Sequence, residues 1–273
     1  MFTLDCDRAH LYAHPERELT AGQLARYEAV LAQRATGVPA QYITGHQEFW
    51  GLDLIVSPAV LIPRPETEHV IEAVLELVNT GKLRSEASTR GKPAPLRIVD
   101  VGTGSGAIAL ALARELPAAE IHATDISADA LEVAQANAAR HELNTRIVFH
   151  HTDLLSGLPL AEFDVVVSNP PYVGESEADQ VQLEVRKFEP RNAVFAGPTG
   201  LEVIERLIPQ AQAALVPGGW LIFEISATIA AGVRVLLAGW SELAIKNDLQ
   251  GIARVAVARN IPLTTNDNRP TTS

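Results

Sequence analysis

The sequence predicts an α/β fold built on a mostly parallel sheet, and three observations predict it. From residue 96 onward, apolar runs of strand length alternate with segments of helical periodicity. The run Ile98-Val99-Asp100-Val101 opens directly into Gly102-Thr103-Gly104-Ser105-Gly106-Ala107, a glycine-rich turn that leads into a helix. The next strand ends at Asp125, about 20 residues further on, where dinucleotide folds place a ribose-binding carboxylate.

The elements follow in order. Residues 1–40 read as helical. Thr20 and Gln23 have the spacing of a capping box, and Leu24, Tyr27, Val30 and Leu31 repeat at helical spacing until Gly37 and Pro39 end the segment. Residues 41–58 read as a β-hairpin connector: Gln41-Tyr42-Ile43 and Glu48-Phe49-Trp50, then Gly51, then Leu52–Val56. Pro63 and Pro65 precede a helix with apolar positions at Val70, Ile71, Val74, Leu75 and Val78. Pro65, Glu66 and Glu68 suit its first turn. The polar stretch 79–95 reads as a flexible loop. Strands are predicted at Leu96–Val101, Glu120–Thr124, Arg146–His150, Phe163–Ser168, Gly219–Ile225 and Ile252–Ala258. Helices are predicted near Ala107–Leu116, Ala128–His141 and Gly200–Leu215. Such alternation implies parallel strands covered on both faces. Residues 59–261 are thus one large unit, and the polar tail 262–273 is predicted to be disordered.

Composition narrows the function. Hydrophobic residues make up 47% of the 273 and charged residues 20%, enough for a sizeable core. The formal net charge of −11 and the lack of any Lys/Arg run argue against direct nucleic-acid binding. One cysteine, Cys6, excludes an internal disulfide framework and a Cys-rich zinc site, and no metal site is expected from His150 and His151. No apolar stretch reaches the roughly 18 residues of a membrane span. The N-terminus has no signal-peptide pattern, so a cytoplasmic protein is expected.

Two segments carry chemistry. The glycine turn supplies free helix N–H groups and close backbone approach, which gives Gly102, Thr103, Gly104 and Gly106 as cofactor-binding candidates. Asp125 with Ile126 and Asp153 with Leu154 follow the next two strands. There a carboxylate would reach ribose hydroxyls and an adenine amino group respectively. The glycine spacing fits a nicotinamide dinucleotide or S-adenosylmethionine. Asp100, just before the glycines, tilts toward the latter, since a carboxylate binds its ammonium and repels a pyrophosphate. The second segment, Asn169-Pro170-Pro171-Tyr172, ends the strand Phe163–Ser168. Proline brings no N–H, so the backbone offers carbonyl acceptors. With the Asn169 side-chain oxygen they suit a group that has two N–H donors, while Tyr172 offers a flat face. A simple turn is the alternative for these four residues. Pro63 and Arg64 would border the cofactor, and Glu189 and Arg191 read as a salt-bridged loop or a channel lining.

These residues resemble the peptide chain release factor glutamine N5-methyltransferases, the PrmC/HemK type, from about residue 34 to residue 259. The likeness rests on Gly37–Gly45, Glu48-Phe49-Trp50-Gly51, Leu61–Glu68, the glycine turn, Asn169–Tyr172, Phe188-Glu189-Pro190-Arg191, Phe223-Glu224-Ile225, and Asp248–Gly251 with Arg254. The resemblance implies a class I methyltransferase fold: Rossmann-like, with seven strands, the last ones in an antiparallel hairpin. It implies S-adenosylmethionine as donor, with S-adenosylhomocysteine as product. The implied substrate is the glutamine of the Gly-Gly-Gln motif in bacterial class 1 release factors. The family usually carries a further helical segment before the part that matches residues 1–40, so the expectation is either a sequence that starts late or a reduced docking region. Asn169, Pro170 and Tyr172 are then the catalytic candidates, and Asn169 through Tyr172 the substrate-binding ones, with Asn169 also touching the cofactor. Three rivals stand beside this reading. One is methylation of another glutamine-bearing protein or of a nucleobase amine, one is a nicotinamide oxidoreductase, and one is a non-catalytic cofactor-binding module.

Overall fold

The computed structural model describes residues 2–83 and 95–261, so the predicted loop between 84 and 94 and the tail 262–273 lie outside the described residues. Three helices lead the chain: α1 (Arg8–Ala13), α2 (Ala21–Ala35) and α3 (Ala40–Thr44). The capping box of α2 is formed. Gln23 N–H donates to Thr20 Oγ1 at 3.2 Å, and Thr20 N–H donates to Gln23 Oε1 at 3.1 Å. The apolar stripe of α2 is not covered, with Leu24, Tyr27 and Leu31 at 45%, 44% and 48% exposure. Helix α3 corrects an expectation, because Gln41, Tyr42 and Ile43 are helical and not the first hairpin strand. Pro39 presets the entry at φ −53°, and Gly45 closes the turn at φ 77°.

The hairpin is β1 (His46–Phe49) with β2 (Leu52–Ile55). Its turn residues Trp50 and Gly51 sit at φ 52° and 67°, the left-handed pair whose twist matches the flanking strands. Trp50 is held there by its own polar groups. Its backbone N–H donates to Glu68 Oε1 and its indole Nε1 to Glu115 Oε1, both at 2.9 Å, while its carbonyl accepts from Arg114.

A tight turn at Pro65–Thr67 leads into α4 (Glu68–Asn79). Then β3 (Arg97–Val101), α5 (Ala107–Glu115), β4 (Glu120–Asp125), α6 (Ala128–Arg140), β5 (Ile147–His151) and β6 (Phe163–Ser168) alternate as predicted. A short parallel pair, β7 (Val173–Gly174) and β8 (Phe195–Gly197), brackets α7 (Leu183–Phe188) and α8 (Arg191–Val194). These four elements are too short to leave a periodic signal, and none was predicted. The chain continues with α9 (Glu202–Ala214), β9 (Leu215–Glu224), α10 (Ala230–Leu236), β10 (Ser241–Asn247) and β11 (Ala253–Arg259).

The main sheet runs β10-β11-β9-β6-β3-β4-β5. Every neighbouring pair from β9 to β5 is parallel, and β11 runs antiparallel to both β9 and β10. The run of buried residues in each central strand serves two cores. Ile98, Val165 and Val167 pack with α4 and α5, while Val99, Val101 and Val166 pack with α9 and α10. Strand order reverses at β3, which has β4 on one side and β6 on the other. Ligands of open α/β sheets bind at such a switch point, beyond the carboxyl ends of the strands. The glycine turn follows β3 and Asn169-Pro170-Pro171-Tyr172 follows β6, so the topology sets the two sequence motifs side by side.

Candidate active site

The glycine turn folds tightly because Gly102 N–H and Thr103 N–H both donate to the Thr124 carbonyl at 2.9 Å. Its three glycines have φ of 72°, 55° and 85°. Gly106 does not reach the cavity. It is a packing residue, for a Cβ there would stand 2.3 Å from Leu110 Cδ1 and 3.3 Å from Ala134 Cβ. Its place among the cofactor candidates rests on the turn it closes and not on a surface in the cavity. Asp100 likewise sits behind the turn and off the cavity wall, 1% exposed. Its Oδ2 accepts from Thr103 Oγ1 at 2.7 Å and from Ala109 N–H at 3.2 Å, while its Oδ1 is buried without a partner among the described residues. Burial pushes its pKa up to about 7.

Gly102, Thr103, Gly104, Asp125, Ile126, Asp153, Leu154 and Asn169 all line one cavity of about 320 Å³. Pro63, Thr67, Pro190 and Phe195 share its wall. Asp125 Oδ2 accepts from Gly104 N–H and Oδ1 from Ser127 N–H, each at 2.9 Å, so the carboxylate is fixed and still has lone pairs to offer. Burial raises its pKa against those N–H bonds. Ile126 leaves 58% of its surface open at the rim, apolar area that a flat ring would cover. Asp153 is ion-paired with Arg206, the one cation on this wall among the described residues. A wall of apolar side chains and two carboxylates, with its cation already paired, fits S-adenosylmethionine better than a pyrophosphate.

A second cavity, about 430 Å³, lies beyond Asn169 and is lined by Pro170, Pro171, Tyr172, Glu224, Arg64 and Arg254 among others. The two cavities share Leu61, Asn169, Pro171 and Ala193, so the tetrapeptide is the partition between them. Asn169 Nδ2 donates to Thr67 Oγ1 at 3.0 Å. Thr67 Oγ1 donates in turn to Glu224 Oε2 at 2.6 Å, and Tyr172 OH donates to Glu224 Oε1 at 2.9 Å. Glu224 is 1% exposed, and burial raises its pKa. Burial also raises the Tyr172 pKa, with the Glu224 charge adding to it, so the phenol stays protonated. Among the described residues nothing donates to Asn169 Oδ1 or to the Pro170 carbonyl.

The segment Arg64–Glu68 stitches the site together. Arg64 pairs with buried Glu189 at 2.5 Å, Thr67 joins the network above, and Glu68 holds the hairpin turn. Glu189 and Arg191 do form ion pairs, the latter with Glu175 at 3.0 Å. Three residues with positional importance were not singled out as site residues from the sequence: Thr67, Glu224 and Asn137. Glu224 had a signal, a lone carboxylate inside the apolar run Trp220–Ile225. Asn137 lies on the buried stripe of α6 with Ala130, Leu131, Ala134 and Ala138, where an amide is out of character. His150 contacts His122 at 2.9 Å, and His151 faces the Ile126 carbonyl at 3.0 Å.

Comparison with known proteins agrees with this geometry. The PrmC N-terminal domain family matches residues 1–45 and the methyltransferase small domain family residues 88–187. A release factor glutamine methyltransferase of Koribacter versatilis is 54% identical over 260 residues, covering 95% of this chain and 88% of that protein. The chain belongs to the release factor glutamine methyltransferase family. A relative of the same name from Xylella fastidiosa is 42% identical over 261 residues, covering 95% of this chain and 90% of its own. Among solved structures, the human METTL16 catalytic domain bound to an RNA hairpin has a TM-score of 0.58 at 17% identity, covering 77% of this chain and 76% of that one. A T. thermophilus 16S rRNA methyltransferase with AdoMet and guanosine has a TM-score of 0.56 at 19% identity, covering 79% of this chain and 49% of that one. At such identities the likeness is one of fold, the class I methyltransferase fold with its seven-stranded sheet. Family membership makes this protein a methyltransferase and sets aside the oxidoreductase and non-catalytic readings. No helix among the described residues is long and apolar enough to cross a membrane.

Proposed function

We propose that this protein transfers a methyl group from S-adenosylmethionine to the side-chain amide nitrogen (N5) of the glutamine in the Gly-Gly-Gln motif of class 1 peptide chain release factors, in the cytoplasm. The observation that carries the proposal is the partition. Among the described residues, Asn169 Oδ1 and the Pro170 carbonyl accept from no donor; Asn169 lines both a cofactor-sized cavity and a second, open cavity, and Pro170 lines the second. S-adenosylmethionine supplies the activated methyl group when bound. In this reading Asp125 would accept the ribose hydroxyls, Ile126 and Leu154 would cover the adenine, and Asp153 would accept from its amino group, all four lining the first cavity.

An amide nitrogen is a weak nucleophile because its lone pair is shared with the carbonyl. Two acceptors, one for each N–H, turn that lone pair toward the first cavity, while Tyr172 and Pro171 flank the amide plane. Each hydrogen bond contributes only about 1 kcal/mol net to binding. Alignment is the larger effect, with up to roughly 7–11 kcal/mol available to well-oriented reactants. The nitrogen becomes acidic only as it gains the methyl group, so no side chain need remove a proton before attack. Residues 1–40 serve as the docking region and 41–58 as its connector to the catalytic part, 59–261. The uncovered stripe Leu24, Tyr27 and Leu31 supports that division.

Two variants test the proposal. Asn169→Ala should abolish methyl transfer and leave cofactor affinity nearly intact, whereas Asp125→Ala should chiefly weaken the cofactor. Parallel losses of both quantities in Asn169→Ala would assign Asn169 to the scaffold and reject the acceptor role.

A further inference from the structure

We propose that Thr67 and Glu224 are positioning residues that set the polarity of the Asn169 amide, so that its oxygen and not its NH₂ faces the second cavity. The inference rests on the reading of Asn169 as acceptor of the substrate amide and adds what makes it an acceptor. The oxygen and nitrogen of an asparagine side chain are nearly the same size, so packing does not choose between the two orientations. Hydrogen-bond donors and acceptors do. The Thr67 hydroxyl has one hydrogen, and at 2.6 Å from Glu224 Oε2 that hydrogen is committed. What Thr67 Oγ1 still offers is a lone pair, which only an N–H can use. Asn169 Nδ2 takes it at 3.0 Å, and Oδ1 is left facing the other way.

The carboxylate is the anchor of this chain. Glu224 accepts from Thr67 through one oxygen and from Tyr172, at 2.9 Å, through the other. An ionised carboxylate serves two hydroxyl donors because it carries no hydrogen of its own. A glutamine there must turn its NH₂ toward one of them. Turned to Thr67, it makes Thr67 the acceptor, frees the threonine hydrogen for Asn169, and lets the Asn169 amide flip. Three elements meet at this point: the turn before α4, the end of β6 and the end of β9. Thr67 is 4% and Glu224 1% exposed, so each relies chiefly on its protein partners. Glu66 and Arg254 also face the carboxylate, and Arg254 is held by Asp248 at 2.9 Å. Protonation of Glu224 would put a hydrogen between it and one of its donors, with the same loss of order as the glutamine. Methyl transfer therefore gains as pH rises and Glu224 ionises.

The test uses the full chain with isotope-labelled S-adenosylmethionine and a release factor as acceptor, with cofactor affinity measured separately by calorimetry. Thr67→Val should lower kcat about 10- to 100-fold, the scale of a misaligned reactant, with cofactor affinity and the KM for the release factor little changed. Thr67→Ser, which keeps the hydroxyl, should restore most of the rate. Glu224→Gln should be slow and should lack the rise of kcat with pH that the parent and Glu66→Gln both show. The proposal is overturned by a Thr67→Val enzyme as fast as the parent while Asn169→Ala is dead, by a Thr67→Ser enzyme as slow as Thr67→Val, or by cofactor affinity falling in step with kcat. An active Asn169→Ala enzyme overturns the acceptor reading beneath it, and is told apart by that one variant. Should Thr67→Val melt well below the parent, the pH profile of Glu224→Gln decides, since a scaffold role would leave that profile's shape unchanged.

Discussion

Asn137 couples the hairpin to the cofactor turn, and removing its side chain should be costly. It is fully buried on α6. Its Oδ1 accepts from Ile55 N–H at 2.7 Å, and its Nδ2 donates to the Ile55 carbonyl at 3.0 Å and to the Ser105 carbonyl at 2.9 Å. No other side chain ties the end of β2 to the glycine turn among the described residues. Each of the three bonds contributes about 1–1.5 kcal/mol net, and the abandoned backbone groups stay buried, so Asn137→Ala should cost about 3–5 kcal/mol of stability. Asn137→Leu fills the volume without the bonds and should cost nearly as much. Urea unfolding followed by tryptophan fluorescence measures both. Because Ser105 lines the cofactor cavity, cofactor affinity should fall as well. A loss below about 1 kcal/mol in Asn137→Ala, or a Leu variant as stable as the parent, would refute the argument that hydrogen bonds and not packing carry the effect.

Three further outcomes are expected. Gly106→Ala puts a Cβ on a left-handed residue 2.3 Å from Leu110 Cδ1, which should cost about 2–4 kcal/mol and is read as a lowered Tm; an unchanged Tm contradicts the packing role. Arg64→Ala strands the Glu189 carboxylate, whose side chain is 1% exposed, with Ile62 N–H as its one remaining partner among the described residues. The expected loss is about 3 kcal/mol, checked by urea unfolding, and Glu189→Gln in the Arg64→Ala background should recover part of it. Asp100 keeps its proton in the folded chain up to about pH 7, while an ordinary aspartate ionises near 3.8. The unfolded chain therefore loses the proton first, and folding stability falls as pH rises from about 4 to about 7. Asp100→Asn has no such proton, so its stability relative to the parent should grow across that window. A flat difference in urea midpoints contradicts the shift.

The parts legible in the sequence share one property: their signal is local. The strand-to-glycine turn at Ile98–Gly106, the capping box at Thr20 and Gln23, and the buried runs of β4 and β6 are all determined within a few residues. The carboxylates Asp125 and Asp153 were placed on the cavity by their position after strands. Asp100 and Gly106 stand off the cavity wall, which the sequence does not tell, since it shows that a residue belongs to a turn and not which side of the turn it faces. Gln41–Ile43 looked like a strand for its apolar and aromatic content, but Pro39 and Gly45 bound too short a span for anything longer than a turn of helix. Strand β10 was not predicted from periodicity, since Glu242, Lys246 and Asn247 put charge and amide on an edge strand that has one open side. The network of Thr67, Glu224 and Asn169 joins positions up to 157 apart in the chain, a distance at which no spacing rule speaks.

Mass spectrometry of a release factor, a ribosomal protein and a nucleic acid offered together to the enzyme with labelled S-adenosylmethionine tests the central claim most directly. The account predicts one labelled methyl group on the Gly-Gly-Gln glutamine of the release factor and none with the Asn169→Ala enzyme. Label appearing on a base or on another protein, or persisting on the release factor without the Asn169 side chain, would contradict it.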